Sequence, residues 1–269
     1  MGNHFVIDCG SRSIKLHEAS GGTVSLWATR SWDPINDARQ AGRVGELLAD
    51  LTREVPAVSA IHVVGTAAAR RDAGIAAAID AACRALGWSY ETLSQEAEAA
   101  LIRAAFSDRR DCDIVNAGGG SIQIVGADGA MTLLRFGISD LNRDFGLSSA
   151  PADRRTAEAT DFVRAHLPAL ERPFVYSGGE LSYLRCIGAE LGEAGRCTEA
   201  EFVRVAARVD ALDAGELASV SPFDAGWSSG AVASNAIVRA CLRAAGSGFY
   251  YASDINIADG VVASLAGRP

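Results

Sequence analysis

Two stretches decide the fold of this chain: Asp8-Cys9-Gly10-Ser11-Arg12-Ser13-Ile14-Lys15-Leu16 and Asn116-Ala117-Gly118-Gly119-Gly120-Ser121-Ile122-Gln123-Ile124. They align without a gap at an offset of 108 residues (116 − 8). Each contains an Asp or Asn, a small residue, a glycine, two variable residues, a serine and an isoleucine. Apolar residues lie on both sides of each glycine turn, which predicts a strand–turn–strand unit. We call them the first hairpin and the second hairpin. The repeated pattern predicts a duplication, with two similar α/β halves.

Composition limits what else the chain can be. It has 269 residues, 49% of them hydrophobic, so it can bury a substantial core. The net charge of −8 argues against a nucleic-acid or anionic-membrane partner. Because neither a leader peptide nor a membrane span can be recognised, we expect a cytoplasmic protein. The six cysteines are widely spaced, which argues against a zinc site or a disulfide framework.

The remaining pattern alternates strands and helices. In the first half it predicts strands at Phe5–Asp8, Ile14–His17, Val24–Ala28 and Ala60–Val64, and helices at Ala38–Glu54, from Thr66 to Leu86, and at Gln95–Phe106. In the second half it predicts strands at Asp113–Val115, Ile122–Val125, Met131–Arg135 and Phe174–Tyr176, and helices near Thr156–Leu170, after Gly179, and near Glu199–Ala214, Trp227–Ala245 and Ile257–Leu265. Thr66 and Ser94 are candidate helix caps. The polar stretch Ser107–Asp111 predicts a boundary between domains 1–110 and 111–269.

Glycine hairpins can bind phosphate, because backbone N–H groups at their tips point into a concavity. Serine hydroxyls can add further donors. The candidate phosphate-binding residues are Gly10, Ser11, Arg12, Ser13, Asn116, Gly118, Gly119, Gly120 and Ser121. A tight turn without a ligand explains a glycine run equally well. The loops join two strands, so they are not dinucleotide fingerprints, and neither has the Gly-Lys-Ser/Thr of a P-loop.

Three charged residues could carry chemistry at such a site. Asp8 could hold a metal ion or a water molecule, or could simply cap a turn. Its counterpart Asn116 has no charge, which weakens a Mg²⁺ site. Arg70, or its neighbour Arg71, could clamp phosphate or be exposed on a helix. Glu98 could activate water as a general base, or could merely complement a helix dipole.

Together these motifs resemble the exopolyphosphatase / guanosine pentaphosphate phosphohydrolase family, within the actin-like, sugar-kinase and heat-shock chaperone ATPase superfamily. The resemblance rests on five elements in order: Ile7–Ser13, Thr66–Arg70, Leu93–Ile102, Asn116–Ile124, and the adenosine-type loop at Gly178 and Gly179. The sequence Ile257-Ala258-Asp259-Gly260 echoes a further family element near the C terminus. The similarity spans nearly the whole chain, without the additional C-terminal helical domain of longer members.

The resemblance implies an α/β fold of two ribonuclease-H-like, actin-like ATPase domains with an interdomain cleft. It implies that Glu98 is the catalytic glutamate, that Arg70 binds phosphate and that Asp8 is the first-motif aspartate, with Mg²⁺ as cofactor. The chain departs from the family pattern at Arg12, Ala97, Asn116, Gln123 and Ala258. Two carboxylates of the second motif are thus replaced by their amides.

Three functions remain open from the sequence. The first is a phosphohydrolase that releases terminal phosphate from polyphosphate or a nucleoside polyphosphate such as guanosine pentaphosphate. The second is a catalytically weakened relative that binds a phosphorylated ligand or a partner protein through the cleft. The third, an ATP-dependent kinase, is disfavoured because no sugar-specificity insert is visible. The family resemblance is also consistent with a homodimer.

Overall fold

The computed structural model describes residues 4–20, 23–35, 37–53, 55, 60–223 and 225–266. Contacts divide the chain into two units, one of Met1–Ala105 with Ile257–Pro269 and the other of Phe106–Asn256. The division near residue 106 lies close to the predicted boundary. The C-terminal segment, however, lies in the first unit, so the predicted second domain 111–269 does not coincide with the second unit.

The first unit is built on a five-stranded sheet. In chain order its strands are β1 (His4–Cys9), β2 (Ser13–Ser20), β3 (Thr23–Ser31), β4 (Ala60–Gly65) and β5 (Ser89–Thr92), and its first helices are α1 (Val44–Leu51), α2 (Ala67–Arg71), α3 (Ala73–Leu86) and α4 (Gln95–Ala105). The spatial order is β3-β2-β1-β4-β5. β1 is antiparallel to β2 and parallel to β4. Phe5, Ile7 and Cys9 alternate along β1 into a core that includes Leu48 and Ile79.

The second unit is built on a six-stranded sheet in the order β10-β11-β9-β6-β7-β8. Its strands are β6 (Asp113–Ala117), β7 (Ile122–Val125), β8 (Met131–Leu134), β9 (Phe174–Ser177), β10 (Arg196–Thr198) and β11 (Phe249–Ala252). Its helices are α5 (Ile138–Phe145), α6 (Thr156–His166), α7 (Glu180–Cys186), α8 (Glu199–Asp210), α9 (Ala214–Ser219), α10 (Ala225–Ser228) and α11 (Ala231–Ala245). The predicted apolar stripe of α11 is buried in the core.

The two units repeat one topology, which confirms the predicted duplication. The order β8-β7-β6-β9-β11 matches β3-β2-β1-β4-β5, with β10 added at the edge. Asp8 pairs with Lys15 across the first hairpin, and Asn116 pairs with Gln123 across the second. The architecture is the two-domain, actin-like α/β fold that the resemblance implied.

The last helix, α12 (Ile257–Ala266), packs against α4 inside the first unit. Gly260 permits this close approach, because a Cβ there would lie 2.1 Å from the carbonyl oxygen of Leu101. Among the described residues, no helix is long and apolar enough to cross a membrane.

Several predicted elements have different bounds. The helix predicted from Thr66 to Leu86 is divided at Asp72, whose carboxylate accepts from the amides of Gly74 and Ile75 and so begins α3. Thr66 precedes α2 but makes no side-chain capping bond. Ser94 does cap α4, since its hydroxyl accepts from Ala97 N at 3.1 Å. The predicted start of the Ala38–Glu54 helix is a 3-10 helix, and Glu54 lies outside the described residues.

Candidate functional site

The first hairpin is closed by a hydrogen bond from Gly10 N to Ser13 O at 3.1 Å. Ser11 lies at its tip and is only 3% exposed. The buried Ser11 Oγ and Asp8 Oδ1 have no hydrogen-bond partner among the residues that the structure describes. Buried polar atoms are nearly always hydrogen-bonded, so two of them on one hairpin indicate a place where a polar ligand or water binds.

Arg70 and Glu98 form a buried ion pair in the same unit. Arg70 Nη1 donates to Glu98 Oε2 at 2.7 Å and to Leu93 O at 2.9 Å. Their side chains are 19% and 7% exposed, whereas Arg71 is exposed. Arg70 lies in α2, the short helix directly after β4, and Glu98 lies in the first turn of α4, which follows β5. Because β4 and β5 are parallel neighbours, the segments that follow them lie side by side.

The charges of Asp8, Arg70 and Glu98 influence one another. Burial raises the pKa of Glu98 to about 7, which the nearby Arg70 opposes and Asp8 reinforces. Burial also raises the pKa of Asp8 to about 6, opposed by Lys15 and Arg70. A glutamate with a pKa near neutrality can exchange a proton at physiological pH, as a general base requires.

The second hairpin has the same closing bond, from Gly118 N to Ser121 O at 2.9 Å. The start of α5 supports it from outside, because Ile138 N donates to Gly118 O and Ser139 N donates to Gly119 O. Gly137 allows this contact, since a Cβ there would lie 2.3 Å from Gly118 O. The hairpin tip is therefore hydrogen-bonded to an element outside it.

Amide side chains join the two strands of the second hairpin. Asn116 Nδ2 donates to Gln123 Oε1 at 2.7 Å, and Gln123 Nε2 donates to Ser121 Oγ at 3.0 Å. Ser177 Oγ, at the end of β9, donates to Asn116 Oδ1 at 3.0 Å. We call this set of four side chains the amide network. It carries no formal charge and includes Gln123, which is fully buried.

The Gly178–Gly179 loop lies between β9 and α7 in the second unit. Its amides donate to the backbone of the segment after β11: Gly178 N to Ile255 O and Gly179 N to Ser253 O. Both glycines have positive φ. Phe223 covers the loop, since a Cβ at Gly179 would lie 3.1 Å from its ring. The N–H groups and one face of this loop are thus engaged within the protein.

Three further residues lie at these hairpins and were not predicted from the sequence: Lys15, Ser139 and Ser177. Lys15 is recognisable from the alignment of the hairpins, because it occupies the position of Gln123. Ser139 is buried and its hydroxyl has no partner among the described residues, but nothing in the sequence places it beside Gly119. Ser177 joins Asn116 only because β6 and β9 are parallel neighbours.

Residues 44–219 match the model of the Ppx/GppA phosphatase family. This chain belongs to that family. Its members act on polyphosphate or nucleotide polyphosphates. The recognition from sequence motifs is therefore confirmed. No curated protein matches the sequence.

Solved structures resemble this chain along nearly its full length. The PPX-GPPA enzyme of Aquifex aeolicus is 17% identical with a TM-score of 0.70, covering 98% of this chain and 99% of that chain. An exopolyphosphatase of Cytophaga hutchinsonii is 13% identical with a TM-score of 0.77, covering 98% and 97%. An exopolyphosphatase-like protein is 18% identical with a TM-score of 0.74, covering 98% of each chain. At these identities the likeness establishes the fold.

Family members generally depend on a metal ion. Mg²⁺ prefers carboxylate oxygens, but the second hairpin offers the amides Asn116 and Gln123, which bond each other. In the first unit the carboxylates near one another are Asp8, which lies opposite Lys15, and Glu98, which is bonded to Arg70, so a cationic side chain lies near each. Within the described ranges, no group of three or more His, Cys, Asp or Glu side chains could hold a metal. These residues do not fit a divalent metal ion.

Proposed function

We propose that this chain is a phosphohydrolase that releases terminal phosphate from inorganic polyphosphate or a related phosphoanhydride. The observation that carries this proposal is the buried Arg70–Glu98 pair, with Glu98 titrating near neutral pH. Membership of a phosphatase family supports the same reaction class. The orphaned polar atoms of Ser11 and Asp8 mark the adjoining hairpin as the place for a polar ligand.

In the proposed reaction, ionised Glu98 accepts a proton from water as the water oxygen bonds to the terminal phosphorus. The bridging P–O bond breaks, and the shortened chain leaves with the bonding electron pair. Arg70 has two roles: it keeps part of the Glu98 population ionised, and its positive charge stabilises the transferring group. The Ser11 hydroxyl, which has no partner among the described residues, supplies a neutral donor to a phosphate oxygen.

The Gly178–Gly179 loop favours an inorganic substrate. Its amides are bonded to Ser253 and Ile255, and Phe223 lies against Gly179, so the loop offers a nucleoside neither of these two N–H groups. We therefore expect polyphosphate to be a better substrate than guanosine pentaphosphate.

The test is phosphate release from long-chain polyphosphate, tripolyphosphate and guanosine pentaphosphate, with and without Mg²⁺ or Mn²⁺. Glu98→Gln should lower the rate by about 10²–10⁴-fold, the usual contribution of a general base. Glu96→Gln is the matched control, because Glu96 is exposed on the same helix, and it should retain the wild-type rate. Release that is equal in wild type and Glu98→Gln would contradict the proposed role of Glu98.

The amide network favours a second candidate function, binding without hydrolysis. Replacing carboxylates with amides preserves the shape of a phosphate site but removes its charge. In that case the chain would bind tripolyphosphate, or a phosphorylated partner protein, and release no phosphate under any of these conditions. Activity gained only in Asn116→Asp would indicate that the chemistry had been disabled at this position.

A further inference from the structure

The amide network is a self-contained substitute for a pair of carboxylates. Asn116 and Gln123 stand where the family pattern has an aspartate and a glutamate, and their side chains approach to 2.7 Å. Two ionised carboxylates at that separation would repel each other and would need a cation or a shared proton. An amide pair needs neither, because one amide donates to the other.

The oxygens of both amides are already engaged. Asn116 Oδ1 accepts from Ser177 Oγ, and Gln123 Oε1 accepts from Asn116 Nδ2. If both amides were rotated by 180°, each oxygen would again accept a hydrogen bond. Asn116 Oδ1 would accept from Gln123 Nε2, and Gln123 Oε1 would accept from Ser121 Oγ. In either arrangement the N–H groups of both amides carry partial positive charge on their hydrogen atoms, which repels a cation. The network therefore offers a divalent metal no charge, and each of its amide oxygens already accepts a hydrogen bond.

The first hairpin has cationic side chains of its own. Lys15 lies opposite Asp8 in the register of β1 and β2, and both Lys15 and Arg70 lower the pKa of Asp8. Arg12 stands at the hairpin tip, where the family pattern has a neutral asparagine. Ammonium and guanidinium groups stabilise phosphate charge without a metal, and guanidinium can do so with paired hydrogen bonds.

We propose that this chain holds and hydrolyses its phosphate substrate without a resident divalent metal ion, and that the paired replacements at Asn116 and Gln123 removed the metal site. The hydrolytic part of this inference rests on the proposed function. The metal-binding part does not, because it follows from the donor atoms of the two hairpins and of Glu98 and not from any activity.

The first measurement is titration of the full-length protein with Mn²⁺, following free Mn²⁺ by electron paramagnetic resonance. The wild type should leave the Mn²⁺ signal free at micromolar concentrations. Asn116→Asp combined with Gln123→Glu should bind about one Mn²⁺ per chain, since it restores two carboxylates that face each other across the second hairpin. Met131→Glu, which adds a carboxylate at an exposed position of β8, is the control and should bind none.

Two further readouts separate a metal site from a folding defect. The melting temperature of the double variant should fall without metal and rise on addition of Mn²⁺, whereas that of the wild type should not respond. Phosphate release by the wild type should change less than about twofold when EDTA replaces Mg²⁺, a change that corresponds to less than about 0.4 kcal/mol. Release by the double variant should be lost in EDTA.

Stoichiometric, micromolar Mn²⁺ binding by the wild type, or wild-type release abolished by EDTA and restored by Mg²⁺, would overturn the inference. If the double variant does not fold, the wild-type titration still decides the question. If no variant releases phosphate, the proposed function fails, and the Mn²⁺ titration tests the metal inference independently.

Discussion

Among single residues, Glu98 should set the pH dependence of the reaction. Its pKa is raised to about 7, mainly by burial, so the ionised base is formed only as the pH rises through neutrality. We expect kcat/KM for polyphosphate to fall about tenfold per pH unit below that midpoint and to level off above it. A profile measured from pH 5 to 9 checks this. A flat profile between pH 6 and 8 would contradict it.

Arg70 should control where that midpoint lies. Burial raises the pKa of Glu98, and the guanidinium of Arg70 counteracts part of that rise. Arg70→Gln therefore removes an interaction that lowers the pKa of Glu98. The midpoint should move upward by about one unit or more, as expected for loss of a neighbouring opposite charge. Arg71→Gln is the control and should leave the midpoint in place, because Arg71 is exposed. A midpoint that moves equally in both variants would mean that general charge, not the ion pair, is responsible.

The sequence predicted the secondary-structure elements that carry Arg70 and Glu98, but not that their side chains contact each other. Arg70 and Glu98 are 28 positions apart, and only the parallel placement of β4 beside β5 brings the segments after these strands together. The hydrogen bond between Asn116 and Gln123, by contrast, follows from the hairpin register that the sequence alignment already contained. Local pairing was therefore accessible from sequence, and pairing through the sheet was not.

Among the secondary-structure elements, the start of α5 should determine the shape of the second hairpin. Gly137→Ala places a methyl group 2.3 Å from Gly118 O and 2.7 Å from Ser121 N, so the hairpin must shift. Overpacking of this kind typically costs about 1–3 kcal/mol. We expect tripolyphosphate binding, measured by calorimetry, to weaken by about tenfold. Gly215→Ala in α9 is the control, because its Cβ meets nothing closer than 3.4 Å. Unchanged binding and melting temperature in Gly137→Ala would contradict this account.

The packing of α12 on α4 makes a second prediction about elements. Gly260→Ala would drive a Cβ into the carbonyl of Leu101, so it should lower the free energy of unfolding by about 1–3 kcal/mol. Gly45→Ala is the matched helical control, with its nearest contact at 3.7 Å from the side chain of Ala82. That change should be neutral or slightly stabilising, because alanine favours the helix. Urea unfolding of both variants measures the difference, and equal stability would refute the close contact.

Elements with strong apolar periodicity were predicted well, and short or polar ones were missed. The apolar stripe that includes Val232, Ala236 and Ile237 predicted a helix. The structure confirms it as α11, with all three side chains buried. β5 has four residues, of which Ser89, Glu91 and Thr92 are polar, so no alternation marks it as a strand. It is a strand because β4 provides a parallel edge for it, which is tertiary information.

For the whole molecule, one duplicated scaffold has produced two chemically different hairpins. Both are closed by the same glycine-to-serine hydrogen bond, and both keep an identical register. The first retains the carboxylate of Asp8 with cations near it, whereas the second is a neutral amide network. The duplication could be read from the sequence because it is a repeated pattern. The C-terminal helix could not be assigned to the first unit, because no local signal states where a distant segment packs.

The most direct test of the central claim, water-driven cleavage with Glu98 as base, is phosphate release from long-chain polyphosphate in ¹⁸O-labelled water. Mass spectrometry of the released phosphate distinguishes attack by water from transfer to another acceptor. The wild type should release phosphate that carries one solvent oxygen, Glu96→Gln should match it, and Glu98→Gln should release about 10²–10⁴-fold less. Absence of labelled phosphate from the wild type, or release of labelled phosphate by Glu98→Gln at the wild-type rate, would contradict the account.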